Sequence, residues 1–408
     1  MLVRMNETKV MRDVVHGYIH VDLQVIWDLI NAKEFQRLRR INQLGGVFQV
    51  YHTAEHSRFA HSVGVYEVVR RMVNEITGLK NGLSEYEKAT VMIAGLLHDI
   101  GHLPFSHAME HFSTTSHESF SQQIILGNSE IHAILCRVDP NLPKDVASVI
   151  SYSHKNQLLN QIVSGQLDAD RMDYLLRDAY MSGTSYGKFD LERILRTIRV
   201  KQDRIVVKES GIHSVEDYIM ARYHMYWQVY FHPVARSFET ILSSLYRRMC
   251  YCDRYSPNRL KGAEMFLPFV HDQATIEDHF LLDEHAAYYG FSKLAYGEDE
   301  ILADLSLRIL NRNLFDYETI PNQQDYNKIV DRVKKWGYDP DYYAILDTTR
   351  KSPYRPYGTE DAHNIYVLLD NGEVKELSQV SVIVNSLVHG DVKEEKKVFF
   401  PMEVKERW

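Results

Sequence analysis

The alternation of apolar and polar positions along the chain is chiefly helical. In "SRFAHSVGVYEVVRRMVNEITG" apolar residues recur at helical spacing until Gly78. "SEYEKATVMIAGLLHDIG" opens on Ser84 with Glu87 three residues later, the pattern of a capping box. Its apolar run through Val91, Ile93, Leu96 and Leu97 predicts a buried helix, limited downstream by Pro104. "VEDYIMARYHMYWQVYF" and "RSFETILSSLYRRMCY" predict two further long helices, parted around Pro233. The alternation in "DRIVVKES" predicts a short hairpin near residue 200. Beyond residue 320 the character changes: "NIYVLLDNGEVKEL" reads as strand, Asn-Gly turn and strand, whereas "SVIVNSLV" fits helix or strand equally. The expectation is a mainly α chain, with a helical core over 1–320 and a small α+β region over 321–408 that is available for an interface.

Composition narrows the class. A 408-residue chain with 45% hydrophobic and 25% charged residues has the make-up of a soluble globular protein of one large domain and a smaller one. No apolar run reaches membrane-spanning length, and "MLVRMNETKV" lacks the apolar stretch of a signal peptide, so no membrane partner is expected. Cys136, Cys250 and Cys252 are too few and too poorly spaced for a disulfide framework or zinc knuckle, which points to a reducing, cytoplasmic compartment. A net charge of −8 argues against nucleic acid as the main ligand, but it permits a small anionic ligand in a locally basic pocket. Of the twenty histidines, ten fall within the first 117 residues, which makes the N-terminal third the chemical centre.

The stretch "GLLHDIGHLPFSH" places His98 and Asp99 at the end of an apolar run, where unpartnered charge is costly. On a continuous helix His98 and His102 share one face, with Asp99 about a quarter turn away. An isolated His-Asp pair reads as a capping Asp beside a satisfied core histidine. Here the same neighbourhood also holds His61, His102, His107 and His117, and metal binding explains the cluster more economically. Imidazole and carboxylate ligands suit Mn, Fe, Ni or Zn, with Mg an option at a nucleotide-loaded site. A mixed His/Asp set that leaves room for water serves hydrolysis better than a closed Cys-rich site.

The ordered pattern "RFAHS…LLHDIGH…DADRMDY" resembles the HD-domain phosphohydrolases. By that resemblance the metal ligands are His61, His98, Asp99 and Asp170; Asp168 and Asp173 flank the last of these, and spacing alone does not separate the three. "DVVHGYIHV", "FQRLRRINQLGG", "SHESF" and "LDADRMDYLLRD" extend the likeness, over roughly residues 9 to 250, to deoxynucleotide triphosphohydrolases. These include bacterial enzymes and the animal enzyme with a sterile-alpha-motif plus HD-domain architecture. Landmarks that begin near residue 9 imply the minimal, bacterial-type version with no preceding sterile-alpha-motif domain.

The family implies cleavage of a dNTP to deoxynucleoside and inorganic triphosphate. Arg58 and Arg171, which abut ligand positions, are candidate phosphate contacts together with Arg222 and Lys188. His117, oriented by Glu110 or Glu118, is the favoured proton donor, while His102 and His107 are placed at the α-phosphate or its water. Gln43 and Asp178 are expected on the 3′ hydroxyl, Leu44 and Tyr230 against the 2′ carbon, and Tyr174 beneath the sugar. Family members are often homotetramers activated by nucleotides, and Lys9, Val10, Gln36 and Arg39 align with part of that pocket. Arg12 stands where the family has asparagine, and Pro233 where it has a basic residue. Arg193 and Lys208 are alternative phosphate contacts, and the implied activator is GTP or dGTP. Two other readings compete: an HD phosphohydrolase of a monophosphate or alarmone, and a non-catalytic nucleotide sensor or nucleic-acid-binding module.

Overall fold

The helix Arg58–Glu75 is buried over most of its length, polar Arg58, His61, Ser62 and Glu67 included, so neighbouring elements must cover it on several sides. Helices Glu85–Leu97 and Ala169–Ser182 provide that cover. The computed structural model describes residues 2–112, 115–350, 364–390 and 394–405, the side chains of 110–112 and 350 aside, and the fold is mainly α. Helix Glu85–Leu97 begins with a complete capping box: the Glu87 amide donates to Ser84 Oγ at 3.2 Å and the Ser84 amide to Glu87 Oε2 at 3.0 Å.

That helix ends at Leu97, earlier than Pro104 would require, so His98 and His102 do not share a continuous helical face. The cause lies in a distant residue. Ser121, on helix His117–Leu126, donates to the His98 carbonyl at 3.0 Å and accepts from the Gly101 amide at 3.0 Å, satisfying the backbone groups that another helical turn would use. Gly101 permits the approach, because a Cβ there would lie 2.1 Å from the His117 carbonyl oxygen.

Among the described residues three small sheets flank the helices. Arg4–Asp13 and Gly17–Leu23 form an antiparallel hairpin, closed by a turn in which Asp13 Oδ1 accepts the amides of Val15 and His16 and Gly17 adopts φ 74°. The hairpin near residue 200 pairs Ile198–Lys201 with Arg204–Lys208, through left-handed Gln202 and Asp203. Strand Tyr366–Leu368 joins it in parallel and pairs in turn with Val374–Glu376, so the Asn371-Gly372 turn completes a four-stranded sheet. In the third sheet Glu394–Pro401 lies between Phe315–Thr319 and Ile345–Arg350. "SVIVNSLV" is helical over Val382–His389. The two long helices are Ile212–Met225 and Pro233–Tyr255, separated by a π-helical turn at Tyr226–Tyr230.

Among the described residues, buried hydrophobic side chains fall into two clusters. One gathers Val65, Val69, Leu96, Ile100 and Tyr218; the other gathers Leu103, Phe105, Phe238, Phe291 and Phe399. Position 320 lies within the second cluster, whose members include Phe315, Ile320 and Ile329. The chain crosses from the first cluster to the second between Ile100 and Leu103, so the segment after His98 lies on the seam. Among the described residues no helix is long and apolar enough to cross a membrane, and all three cysteines are free.

Candidate metal centre and adjoining cavity

Three helices bring the four expected ligands together. His61 lies in the first turns of Arg58–Glu75, His98 and Asp99 follow the end of Glu85–Leu97, and Asp170 sits in the first turn of Ala169–Ser182. His61 Nε2 is 3.1 Å from Asp170 Oδ1 and 3.6 Å from Asp99 Oδ2, and His98 Nε2 is 3.3 Å from Asp99 Oδ1 and 3.6 Å from Asp170 Oδ1. The three aspartates take separate positions. Asp168 is the N-cap, accepting the Arg171 amide at 2.8 Å, and it pairs with the Arg171 guanidinium. Asp170 faces the imidazoles. Asp173 stands behind His61, accepting its Nδ1–H at 2.8 Å.

This arrangement fits a divalent transition metal. His61 Nδ1 is engaged by Asp173 and His98 Nδ1 by the Gly95 carbonyl at 2.9 Å, which leaves both Nε2 lone pairs turned inward. Both Nε2 atoms are buried without a directed hydrogen bond. Burial lowers the His61 pKa, but Asp170, Asp173 and Asp99 override it and push it up to about 10. Burial likewise opposes charge on Asp99 and Asp170, yet Arg58 and His98 hold Asp99, and His61 and His98 hold Asp170, well below the ordinary carboxylate range. The centre therefore stabilises positive charge where the ligands converge. Two imidazoles and two carboxylates are a donor set for Mn, Fe, Ni or Zn.

A second histidine group adjoins it. His102 stacks on His117 with ring centroids 3.8 Å apart, His107 lies edge-on to both, and His102 Nε2 is 3.4 Å from Asp99 Oδ1. Burial, then Arg58 and His117, hold His102 neutral. His117 Nε2 is 3.2 Å from Glu118 Oε1; Glu110, the other expected orienting group, lies outside the described side chains. Arg58 is buried, paired with Asp99 and donating to Ser106 Oγ at 2.8 Å.

Both groups open into a cavity of about 1250 Å³. Gln43, Leu44, Arg171, Tyr174, Asp178 and Tyr230 also line it, and the Tyr174 ring lies 6.5 Å from that of His61, centroid to centroid. Asp178 is fixed from two sides, by His56 Nε2 at 2.8 Å and by the Tyr230 hydroxyl at 2.7 Å. The loop carrying Gln43 is tied to the His102–Ser106 segment by buried Glu284, whose Oε1 accepts the Asn42 amide at 2.9 Å and the Phe105 amide at 2.8 Å.

Other expected contacts are not among the residues that line the cavity. Arg222 sits outside its lining and donates to Gln166 Oε1 at 2.8 Å, and Lys188 is exposed on the surface. Val10 and Arg12 are exposed on the first strand, where Lys9 pairs with Glu7 and Arg12 lies over the Tyr18 ring. Gln36 accepts from Arg39 Nε at 2.9 Å, and the Arg39 guanidinium packs 3.6 Å from the Phe59 ring centroid. Arg193 and Lys208 are exposed near the 198–208 hairpin. The sequence reading assigned no role to Asp13, His16, His56, Arg177 or Glu284. Asp13 and His16 both lie in "DVVHGYIHV", but their partners Arg177 and Asp173, like those of His56 and Glu284, lie more than a hundred positions away.

The HD domain matches residues 58–178, a span that holds all four expected metal ligands together with Arg58 and Asp178. The chain belongs to the HD-domain family. An HD-associated region follows over residues 189–265. The uncharacterized protein YwfO of Bacillus subtilis is 46% identical over 98% of this chain and 94% of its own length. The deoxynucleoside triphosphate triphosphohydrolase SAMHD1 homolog of Dictyostelium discoideum is 32% identical over 254 residues, covering 59% of this chain and 49% of that protein. Among solved structures, a phosphohydrolase of Bacteroides thetaiotaomicron superposes with a TM-score of 0.83 at 26% identity, covering 97% of this HD-domain chain and 100% of that one.

Proposed function

We propose that this HD-domain protein is a metal-dependent phosphohydrolase that cleaves dNTPs to deoxynucleoside and inorganic triphosphate. The observation that carries the reading is the juxtaposition of the His61, His98, Asp99 and Asp170 donor set with a cavity whose lining includes a doubly anchored Asp178 and Gln43. Phosphate at the donor set and a sugar hydroxyl at Asp178 fit one ligand. Gln43 and Asp178 bind the 3′ hydroxyl, while Leu44 and Tyr230 fill the space that a 2′ hydroxyl would need. Tyr174 lies against the sugar. Arg171 and Arg58 bring positive charge to the phosphate end. When bound, a divalent cation (Mn, Fe, Ni or Zn, or Mg with nucleotide) supplies Lewis acidity and an acidified water. His117, paired with Glu118, delivers the proton to the leaving 5′ oxygen, and His107 and neutral His102 hydrogen-bond the α-phosphate side.

Regulation follows the same reading: GTP or dGTP binds between copies of a cytoplasmic homotetramer. Exposed Val10, Arg12 and Arg39, with Lys9 and Gln36, form its contact surface, and Arg193 and Lys208 add phosphate contacts. The test is chromatography of products from an equimolar dNTP mixture with Mn or Mg, with and without GTP or dGTP. Deoxynucleosides plus inorganic triphosphate are expected. Orthophosphate or pyrophosphate would replace this reading with hydrolysis of another nucleotide, and binding without turnover would replace it with a sensor.

A further inference from the structure

The carboxylate behind His61 is unusually complete. Asp173 is fully buried, and each of its oxygens accepts two hydrogen bonds. Oδ1 accepts from His16 Nε2 at 2.7 Å and Arg177 Nη2 at 2.8 Å; Oδ2 accepts from His61 Nδ1 at 2.8 Å and Arg177 Nε at 2.9 Å. A carboxylate has about four acceptor positions, so this one is saturated and cannot rotate without breaking a bond. Arg177 in turn reaches Asp13, donating to Oδ2 at 2.8 Å and Oδ1 at 3.3 Å. Asp13 accepts the His16 amide at 2.9 Å, which closes a ring through the turn of the N-terminal hairpin. Helix Arg58–Glu75 makes room at Gly64, where a Cβ would lie 1.9 Å from Asp173 Oδ1 and 2.3 Å from Arg177 Nη2.

We infer that the turn of the N-terminal hairpin is a built part of the metal centre, with His16 a positioning residue that sets His61 through Asp173. The inference rests on the metal-centre reading above. Asp173 fixes His61 in the tautomer that carries hydrogen on Nδ1 and leaves the Nε2 lone pair for the cation. Arg177 alone grips Asp173 at one atom pair on each oxygen. His16 fills the remaining position on Oδ1, the oxygen not used by His61, and so fixes the tilt at which Oδ2 meets the imidazole. Its side chain is only 3% exposed, although it comes from a hairpin whose first strand lies largely in solvent.

The experiment titrates Mn²⁺ into metal-stripped full-length protein, using a competing chelator dye, for wild type, His16→Ala and His16→Gln. Thermal melting in EDTA runs in parallel. Gln places an amide donor near the position of Nε2, whereas Ala supplies none. Expected is Mn²⁺ affinity weakened about 10- to 100-fold in His16→Ala and restored to within about threefold in His16→Gln. If His16→Ala fails to fold, His16→Asn replaces it, since its donor falls near the Nδ1 position and misses Oδ1. Wild-type affinity in the Ala or Asn variant overturns the inference, as does an equal loss in His16→Gln. Failure of the wild type itself to bind Mn²⁺ overturns the metal reading and this inference with it.

Discussion

Gly64→Ala is the sharpest test of the packing behind His61. In the interior of an ordinary helix this change is favourable by about 1 kcal/mol, because alanine loses less backbone freedom. Here the new Cβ would sit 1.9 Å from Asp173 Oδ1, against a practical minimum of 3.0 Å, so the oxygen must retreat by about 1.1 Å. Such a retreat takes its 2.7 Å and 2.8 Å hydrogen bonds beyond useful length. Hydrogen bonds to charged groups contribute about 1.5–3 kcal/mol each, so losing one or two outweighs the helix gain of about 1 kcal/mol and leaves a net destabilisation of about 0.5–5 kcal/mol. The assay is urea denaturation in EDTA, so that no metal contributes, followed by Mn²⁺ titration of the folded variant. Gly82→Ala is the control, since a Cβ there meets nothing within 4 Å. It should be neutral or slightly stabilising. A Gly64→Ala protein as stable as wild type, with full Mn²⁺ affinity, would refute the reasoning.

Three further outcomes are expected. Tyr230→Phe removes the 2.7 Å hydrogen bond to Asp178 and should weaken binding of a non-hydrolysable dNTP about tenfold, read by calorimetry; unchanged affinity would remove Asp178 from the sugar site. Burial pushes Glu284 up to about 7 from an ordinary 4.5, so the fold keeps a proton that the unfolded chain releases; stability should fall as pH rises from about 4.5 to 7, by at most about 3 kcal/mol, and level off above. Glu284→Gln keeps an oxygen for the Asn42 and Phe105 amides and should lose that slope, as denaturant midpoints at pH 5 and pH 8 would show. Stripping the metal should lower the melting temperature, and Mn²⁺ at a hundred times its Kd should restore about 2.7 kcal/mol, an effect absent from Asp99→Ala.

Local chemistry was legible in the sequence where one residue type in one register has few alternative uses. The capping box at Ser84 and Glu87, the hairpins at 198–208 and 366–376, and the helix carrying His61 follow from local pattern. The choice among Asp168, Asp170 and Asp173 was not legible, because it depends on which nitrogen of His61 each carboxylate meets. The end of the helix at Leu97 depends on Ser121, and the anchoring of Asp178 depends on His56, 122 positions away. The first hairpin was missed for a different reason. Its strand Arg4–Asp13 is mostly exposed and lacks a clean alternation, although Ile19, Val21 and Leu23 of its partner do alternate inward.

The seam between the two hydrophobic clusters has a consequence for how the molecule breathes. Leu44, Val47 and Ile150 line the cavity from one cluster, and Phe105 and Ala108 line it from the other. A nucleotide lodged there would touch both and act as mortar between them. Its binding energy would then appear as resistance to their separation. Amide exchange in the His98–Phe105 crossover should slow when the cavity fills, while the interiors of the two clusters exchange as before.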